Sequence, residues 1–307
     1  MTMRALVSLP EPPFAELADV PDPRPAPNQA VVSIRAFSLN RGESRRLAGM
    51  APGTQTGWDL AGVVDEPAAD GSGPPRGARV VGFVLAGAWA QRAAVATEHL
   101  AVLPDEVTFE QAATLPVAGL TALRALELGG FAVGKSILIT GASGGVGRFA
   151  IQLARLGGAE VTAVARREAG LRELGAAEVL SELEPGGPTF DTILDGIGGP
   201  VLGVALQRVA PGGLVVSYAA TVTEPVGYPT RELFSRAPRA RLYGLYIFTE
   251  LEHTRTASAD LGRLASLVAA GRLDPQIDRV APWTEAPEAI RALLDREVAG
   301  KAVLTVG

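Results

Sequence analysis

The segment ILITGASGGVGRFAIQLARLGGAEVTAVARR, residues 137–167, constrains the fold more than any other stretch. Ile137–Thr140 is apolar and branched, which predicts a buried strand. The turn GASGGVG follows. After it, Val146, Ala150, Leu153 and Ala154 fall on one face of a helix that Gly157 and Gly158 stop. Glu160–Ala165 then predicts a second strand. A strand, a tight turn, a helix and a strand within about 30 residues form one half of a dinucleotide-binding fold.

The residue types in the turn suit a phosphate. Ala142, Gly144 and Gly147 hold the three small positions of a G-x-G-x-x-G pattern, with alanine at the first. Gly144 and Gly145 carry no side chain to keep a pyrophosphate away from the backbone. The amides that open the helix at Val146 face the phosphates, aided by the helix dipole. Ser143 adds a hydroxyl, and Gly147 lets the helix pack closely on the strand. A ligand-free glycine turn would satisfy the spacing alone, but the flanking strand and helix favour the dinucleotide.

The end of the second strand bears on which dinucleotide. An NAD site calls for an acid about 20 residues on, bonded to the ribose hydroxyls. This chain reads Ala165, Arg166, Arg167 there, and the two guanidinium forks suit a 2′-phosphate. Glu168 follows at once and keeps NAD open. NADP(H) is the expected cofactor.

A chain of 307 residues exceeds one comfortable core and points to two domains. The first hundred residues predict short strands: Arg4–Leu9, Ala30–Phe37, Gly62–Val64, Arg79–Val84 and Ala88–Val95, with a surface loop at Glu66–Gly77. Close spacing with turn residues between suggests a small barrel. Thr108 and Gln111 form a capping box for a helix that Pro116 interrupts, and Ala118–Leu128 is helical. Strands at Glu178–Leu180, Phe190–Gly196, Gly213–Ala219 and Arg241–Phe248, with a helix at Pro200–Val209, imply a parallel α/β sheet. Helices over Thr256–Ala270 and Ala286–Val298 and a strand at Lys301–Val306 complete the chain.

Composition removes several function classes. A formal net charge of −5 without a basic block argues against nucleic acid as a partner. No apolar run reaches the ~18 residues of a membrane span, and no secretory signal opens the chain. With no cysteine, disulfides, thiolate metal sites and a cysteine nucleophile are excluded. The expected setting is the cytoplasm.

Several stretches in order resemble one family: SLNRGE (38–43), GWDLAGVV (57–64), AATLPVAGLTALRAL (112–126), GASGGVG, FDTILDGIGG (190–199), APGGLVVSY (210–218) and GKAVLTV (300–306). Together they resemble the zinc-independent quinone oxidoreductase branch of the medium-chain dehydrogenases/reductases. The resemblance implies an α/β protein: a GroES-like β-barrel domain from residues 1–115 and 250–307, and a Rossmann domain with a doubly wound parallel sheet from 116–249. It also implies an active site in the cleft between the domains. The zinc-using branch has a cysteine where SLNRGE stands, and a Gly-His-Glu where this chain has Gly57, Trp58 and Asp59. His99 and His253 are isolated. No metal is therefore expected, since catalytic zinc wants three protein ligands.

Without a Lewis acid, hydride goes to an acceptor that is already electron-poor, such as a quinone or a carbonyl-conjugated alkene. The resemblance places Asn40 and Thr121 near the nicotinamide, with Arg41 and Arg45 as partners for a developing oxyanion; Arg45 and Arg46 also read as a solvated basic turn. Ligands lie at the carboxyl ends of parallel strands, so Ile197, Gly198, Tyr218, Ala219 and Ala220 should edge the nicotinamide half. Related enoyl reductases often carry a tyrosine shortly after the segment matching SLNRGE, where this chain has Leu47–Ala51. That departure favours an acceptor protonated from water. An enoyl-thioester reductase and a non-catalytic NADPH-binding protein remain the alternatives. The long apolar strand RLYGLYIF predicts a homodimer paired through that edge.

Overall fold

The structure is a computed structural model that describes residues 2–168 and 170–307. In chain order it runs β1 (Thr2–Ser8), β2 (Ala15–Pro21), β3 (Gln29–Leu39), α1 (Arg41–Arg46), β4 (Asp59–Glu66), β5 (Arg79–Phe83), β6 (Arg92–Ala96), β7 (Leu100–Val102), α2 (Phe109–Ala113), a π-turn (Leu115–Gly119) and α3 (Leu120–Gly129). There follow β8 (Ser136–Thr140), α4 (Gly145–Leu156), β9 (Glu160–Val164), α5 (Leu171–Leu174), β10 (Glu178–Leu180), β11 (Phe190–Asp195), α6 (Gly199–Gln207), β12 (Val209–Ser217), α7 (Thr230–Ser235) and β13 (Arg241–Gly244). The chain closes with α8 (Ile247–Thr254), α9 (Ala257–Ala269), β14 (Ile277–Pro282), α10 (Ala286–Leu294) and β15 (Lys301–Thr305).

Two compact units result: Met1–Leu120 with Leu251–Gly307, and Thr121–Glu250. The first is built on β3. That strand pairs antiparallel with β15, β4 and β6, in a seven-stranded sheet of order β14-β15-β3-β4-β5-β7 with β6 also on β3. Val32, Ile34 and Ala36 are buried while Arg35 is exposed, as alternation requires. Phe37 stacks on Trp89 with ring centroids 6.0 Å apart, and both are wholly buried. Each fully buried side chain of this size stabilises the fold by roughly 1.5–3 kcal/mol relative to exposure.

The second unit is a six-stranded parallel sheet of order β10-β9-β8-β11-β12-β13. That is the doubly wound dinucleotide order, with its reversal between β8 and β11. Leu138, Ile193 and Val215 fill the sheet's interior against Leu202 and Ala205 of α6.

Some expected elements differ in extent. The capping box is present: Gln111 donates its backbone N–H to Thr108 Oγ1 at 3.2 Å, and Thr108 N–H donates to Gln111 Oε1 at 3.0 Å. Pro116 does not break the chain direction. Its missing N–H is absorbed in the π-turn that leads into α3. The strand expected over Ala88–Val95 pairs with β3 only from Arg92 onward, because Trp89 instead exchanges backbone bonds with Leu6 and Thr56. The strand expected over Arg241–Phe248 ends at Gly244, and the buried apolar residues Ile247 and Phe248 open α8. Alternation could not separate the two because an apolar run of that length suits a strand or a buried helix end. β2 and β14 were not foreseen. Acidic residues and terminal prolines interrupt their patterns, and each pairs with one strand only.

Candidate functional site

The glycine turn lies in the second unit, between β8 and α4, as the spacing requires. Gly141 has φ +64°, which lets the chain reverse directly off β8. Ala142 N–H then donates to Val164 O at 3.1 Å, tying the turn to the end of β9. A Cβ on Gly147 would sit 2.6 Å from Ala142 Cα, so only glycine permits this approach of helix to strand. In front of Gly144 the space is open: a Cβ there would meet nothing nearer than Gly141 O at 3.4 Å. Ser143, Gly144, Gly145 and Val146 are half-buried around that opening. The cradle therefore fits a pyrophosphate lying against backbone. Buried Arg148 backs it, donating from Nε to Ser143 O at 3.2 Å.

The adjoining strand ends converge on this turn. Asp195, at the end of β11 and fully buried, accepts from Thr140 Oγ1 at 2.6 Å, Gly198 N at 3.0 Å and Ile197 N at 3.3 Å. Burial raises its pKa, while those donors pull it back down. The carboxylate thus bends the loop 196–198 at the carboxyl end of β11, with Gly198 at φ +79°. Ile197 O in turn accepts from Thr221 N at 2.8 Å and Val222 N at 3.1 Å, which brings the segment after β12 alongside. Of the residues there, Ala219 and Ala220 are exposed. The Tyr218 hydroxyl is tucked against Gly196 and donates to Thr140 O at 3.5 Å. Burial holds that hydroxyl well above its ordinary pKa, so Tyr218 stays protonated.

At the end of β9, Ala165 is buried and Arg166 and Arg167 are exposed. Glu168 does not take the strand-end position of a ribose-binding acid. Its Oε1 accepts from Arg172 Nε at 2.5 Å, one helical turn along.

The first unit holds a cluster that sequence reasoning missed. Asp59, wholly buried on β4, accepts through Oδ2 from Ser38 Oγ at 2.6 Å, Asn40 Nδ2 at 2.8 Å and Lys301 Nζ at 3.3 Å, and through Oδ1 from Val117 N at 2.9 Å. Lys301 also donates to Asn40 Oδ1 at 2.8 Å. Glu43, wholly buried in α1, accepts through Oε1 from Asn40 N at 2.8 Å and Asn40 Nδ2 at 3.1 Å. Desolvation and the neighbouring Asp59 charge push the Glu43 carboxyl up to about 8. One signal for this cluster was present in the sequence. Only two of the 28 basic residues are lysines, and Lys301 stands directly before the apolar run Ala302–Leu304.

Asn40 is half-buried at the head of α1, and Thr121 is buried in the first turn of α3, in the other unit. Arg41 donates to Leu293 O of α10 at 3.2 Å. Arg45 and Arg46 are exposed, Arg46 lying over the Trp58 ring at 5.3 Å from its centroid. Among the described residues no three of His, Cys, Asp and Glu are grouped to hold a metal. Asp59 is ill suited to zinc, because the Lys301 ammonium lies 3.3 Å from its Oδ2 and would repel a dication.

A family model described as zinc-binding dehydrogenase matches residues 173–304. The chain is 31% identical over 319 residues to the chloroplast envelope quinone oxidoreductase homolog of Arabidopsis thaliana, covering 94% of this chain and 93% of that one. The chain belongs to the quinone oxidoreductase-like medium-chain dehydrogenases/reductases. It is an oxidoreductase, with the GroES-like and Rossmann architecture of that family. The quinone oxidoreductase structure from Coxiella burnetii superposes with a TM-score of 0.84 at 28% identity, covering all of both chains. The chain is also 33% identical over 302 residues to the spectinabilin polyketide synthase system protein NorB of Streptomyces orinoci, covering 92% of this chain but 13% of that protein. Among the described residues no helix is long and apolar enough to cross a membrane.

Proposed function

We propose that this oxidoreductase is an NADPH-dependent, zinc-free reductase of quinones or small carbonyl-conjugated alkenes. The observation that carries the reading is the end of β9, where Arg166 and Arg167 stand exposed and Glu168 is engaged by Arg172. Two exposed guanidinium forks at the strand end suit the 2′-phosphate of NADPH. Gly144, Gly145 and Val146 would hold the pyrophosphate against the start of α4, with Ser143 beside it. Ile197, Gly198, Ala219 and Ala220 would border the nicotinamide half at the carboxyl ends of β11 and β12. When bound, NADPH supplies a hydride.

Asn40 and Thr121 are proposed to touch the reacting end, and a developing oxyanion would be protonated from water. Steady-state oxidation of NADPH and NADH against a panel of quinones, enones and enoyl-thioesters tests the reading. Faster NADPH oxidation with quinones or enones supports it; no turnover with any member of the panel overturns it. The similarity to a segment of NorB favours an enoyl-thioester reductase as a second reading, which preference for the thioesters would establish.

We further propose a homodimer through β13, whose Leu242 is more than half exposed on the sheet's edge strand. Sedimentation at micromolar protein giving a monomer contradicts it.

A further inference from the structure

The Asn40 carboxamide has two hydrogens, and both are committed. Nδ2 donates to Asp59 Oδ2 at 2.8 Å and to Glu43 Oε1 at 3.1 Å, while Oδ1 accepts from Lys301 Nζ at 2.8 Å. The chemistry of the partners fixes this orientation. An ammonium can only donate and so must meet the amide oxygen, whereas Asp59 accepts through the oxygen that Ser38 and Lys301 also approach. A flipped amide would set NH₂ against NH₃⁺ and oxygen against carboxylate. Asn40 therefore has no N–H left for a ligand, and the one atom it can turn to a bound molecule is its oxygen, which Lys301 and the Glu43 backbone N–H of the capping box also approach.

We propose that Glu43, Asp59 and Lys301 are positioning residues that lock Asn40 with both amide hydrogens turned inward, so that it meets a bound molecule only as an acceptor for an N–H or O–H group. This rests on the reading above that Asn40 lies at the reacting end. It goes beyond it by removing Asn40 as a donor to an oxyanion. The complementary ligand groups are a carboxamide N–H, as on nicotinamide, or the hydroxyl of a quinol.

Glu43 completes the lock as a neutral acid. Its Oε2 is buried without a partner among the described residues, a position in which an ionised oxygen is costly. Asp59 on β4 and Lys301 on β15 are the charges that act on it. Arg41, Arg45 and Arg46 on its own helix and Glu288 and Arg291 on the adjoining α10 are the other charged groups there. Ionisation of Glu43 would place two negative carboxylates and one ammonium around a single amide.

The chain contains only two asparagines, Asn28 and Asn40, and Asn28 is exposed. Selective ¹⁵N-asparagine labelling therefore yields two side-chain amide signals, one of them an internal reference. The lock predicts that the Asn40 amide hydrogens exchange with solvent at least about tenfold more slowly than those of Asn28 in the full-length protein. Lys301→Met should erase that protection and Lys301→Arg should restore part of it. Thermal unfolding of each variant separates a lost lock from a lost fold. Exchange of Asn40 at the Asn28 rate in the unaltered protein overturns the proposal.

Turnover gives a second readout. Quinone reduction with NADPH should fall as pH rises through about 8, and Glu43→Gln should abolish that alkaline fall. Displacing the amide by Lys301→Met should cost kcat/KM roughly 100-fold, with Lys301→Arg intermediate. An alkaline limb unchanged in Glu43→Gln overturns the role given to Glu43. Absence of turnover in the unaltered protein, with Asn40 still protected, would instead sink the functional reading and leave the lock standing.

Discussion

Each unit has one aspartate with no exposed surface, Asp59 in the first and Asp195 in the second, and the two are held in different ways. Among the described residues Asp195 is held by two backbone amides and two hydroxyls, from Thr140 and Ser217, and by no cation. Asp59 is bonded to a lysine, an asparagine, a serine and one backbone amide. A carboxylate held by consecutive amides shapes backbone, and here it bends the loop 196–198 beside the glycine turn. A carboxylate held by side chains shapes side chains, and here it orients Asn40. The same residue type thus shapes a backbone loop in one unit and a polar side-chain cluster in the other.

The comparison breaks most sharply at Lys301. Lys301→Met leaves the Asp59 charge buried without its cation, a loss of about 3–5 kcal/mol for such pairs. Urea denaturation should show it, and a loss under about 1 kcal/mol would contradict it. Asp195→Ala is expected to cost about 1–3 kcal/mol, because the Ile197 and Gly198 amides lose their acceptor. It should also raise the KM for NADPH while leaving the Asn40 amide protected. Weakened protection there would mean that the two clusters are not independent.

Glu43→Gln has an effect of opposite sign. Between the ordinary value of 4.5 and about 8 the folded chain keeps a proton that the unfolded chain releases. The stability tied to Glu43 is therefore full below about 4.5 and is lost as pH rises to about 8. The glutamine variant should lack that slope and be the more stable protein at pH 8, by at least about 1.4 kcal/mol, the worth of one pKa unit. Denaturation midpoints at pH 5 and pH 8 measure it, and equal slopes in both proteins would contradict it.

The two clusters were also unequally legible. The glycine turn is local: Ala142, Gly144 and Gly147 announce a close approach by their spacing, and the strands and helix around them carry their own periodicity. The loop after β11 could be placed from the rule that ligands gather at the carboxyl ends of parallel strands. That Asp195 shapes this loop was not visible, because its donors come from three separate strands or loops. The Asp59 cluster was hidden for the same reason, since Asp59 and Lys301 lie 242 residues apart. Asn40 could be named from resemblance, but the direction of its amide could not, since direction depends on which partners surround it. The strand ending at Gly244 shows the remaining limit: an apolar run does not say where a strand stops and a buried helix begins.

The central claim is that the second unit takes a nucleotide bearing a 2′-phosphate, and calorimetric titration with NADP⁺ and NAD⁺ tests it most directly. NADP⁺ should bind more tightly, by roughly tenfold or more for charge-assisted bonds to one phosphate. Replacing both Arg166 and Arg167 by alanine should remove that preference while leaving NAD⁺ affinity in place. Equal affinities in the unaltered protein, or tighter binding of NAD⁺, would contradict the account.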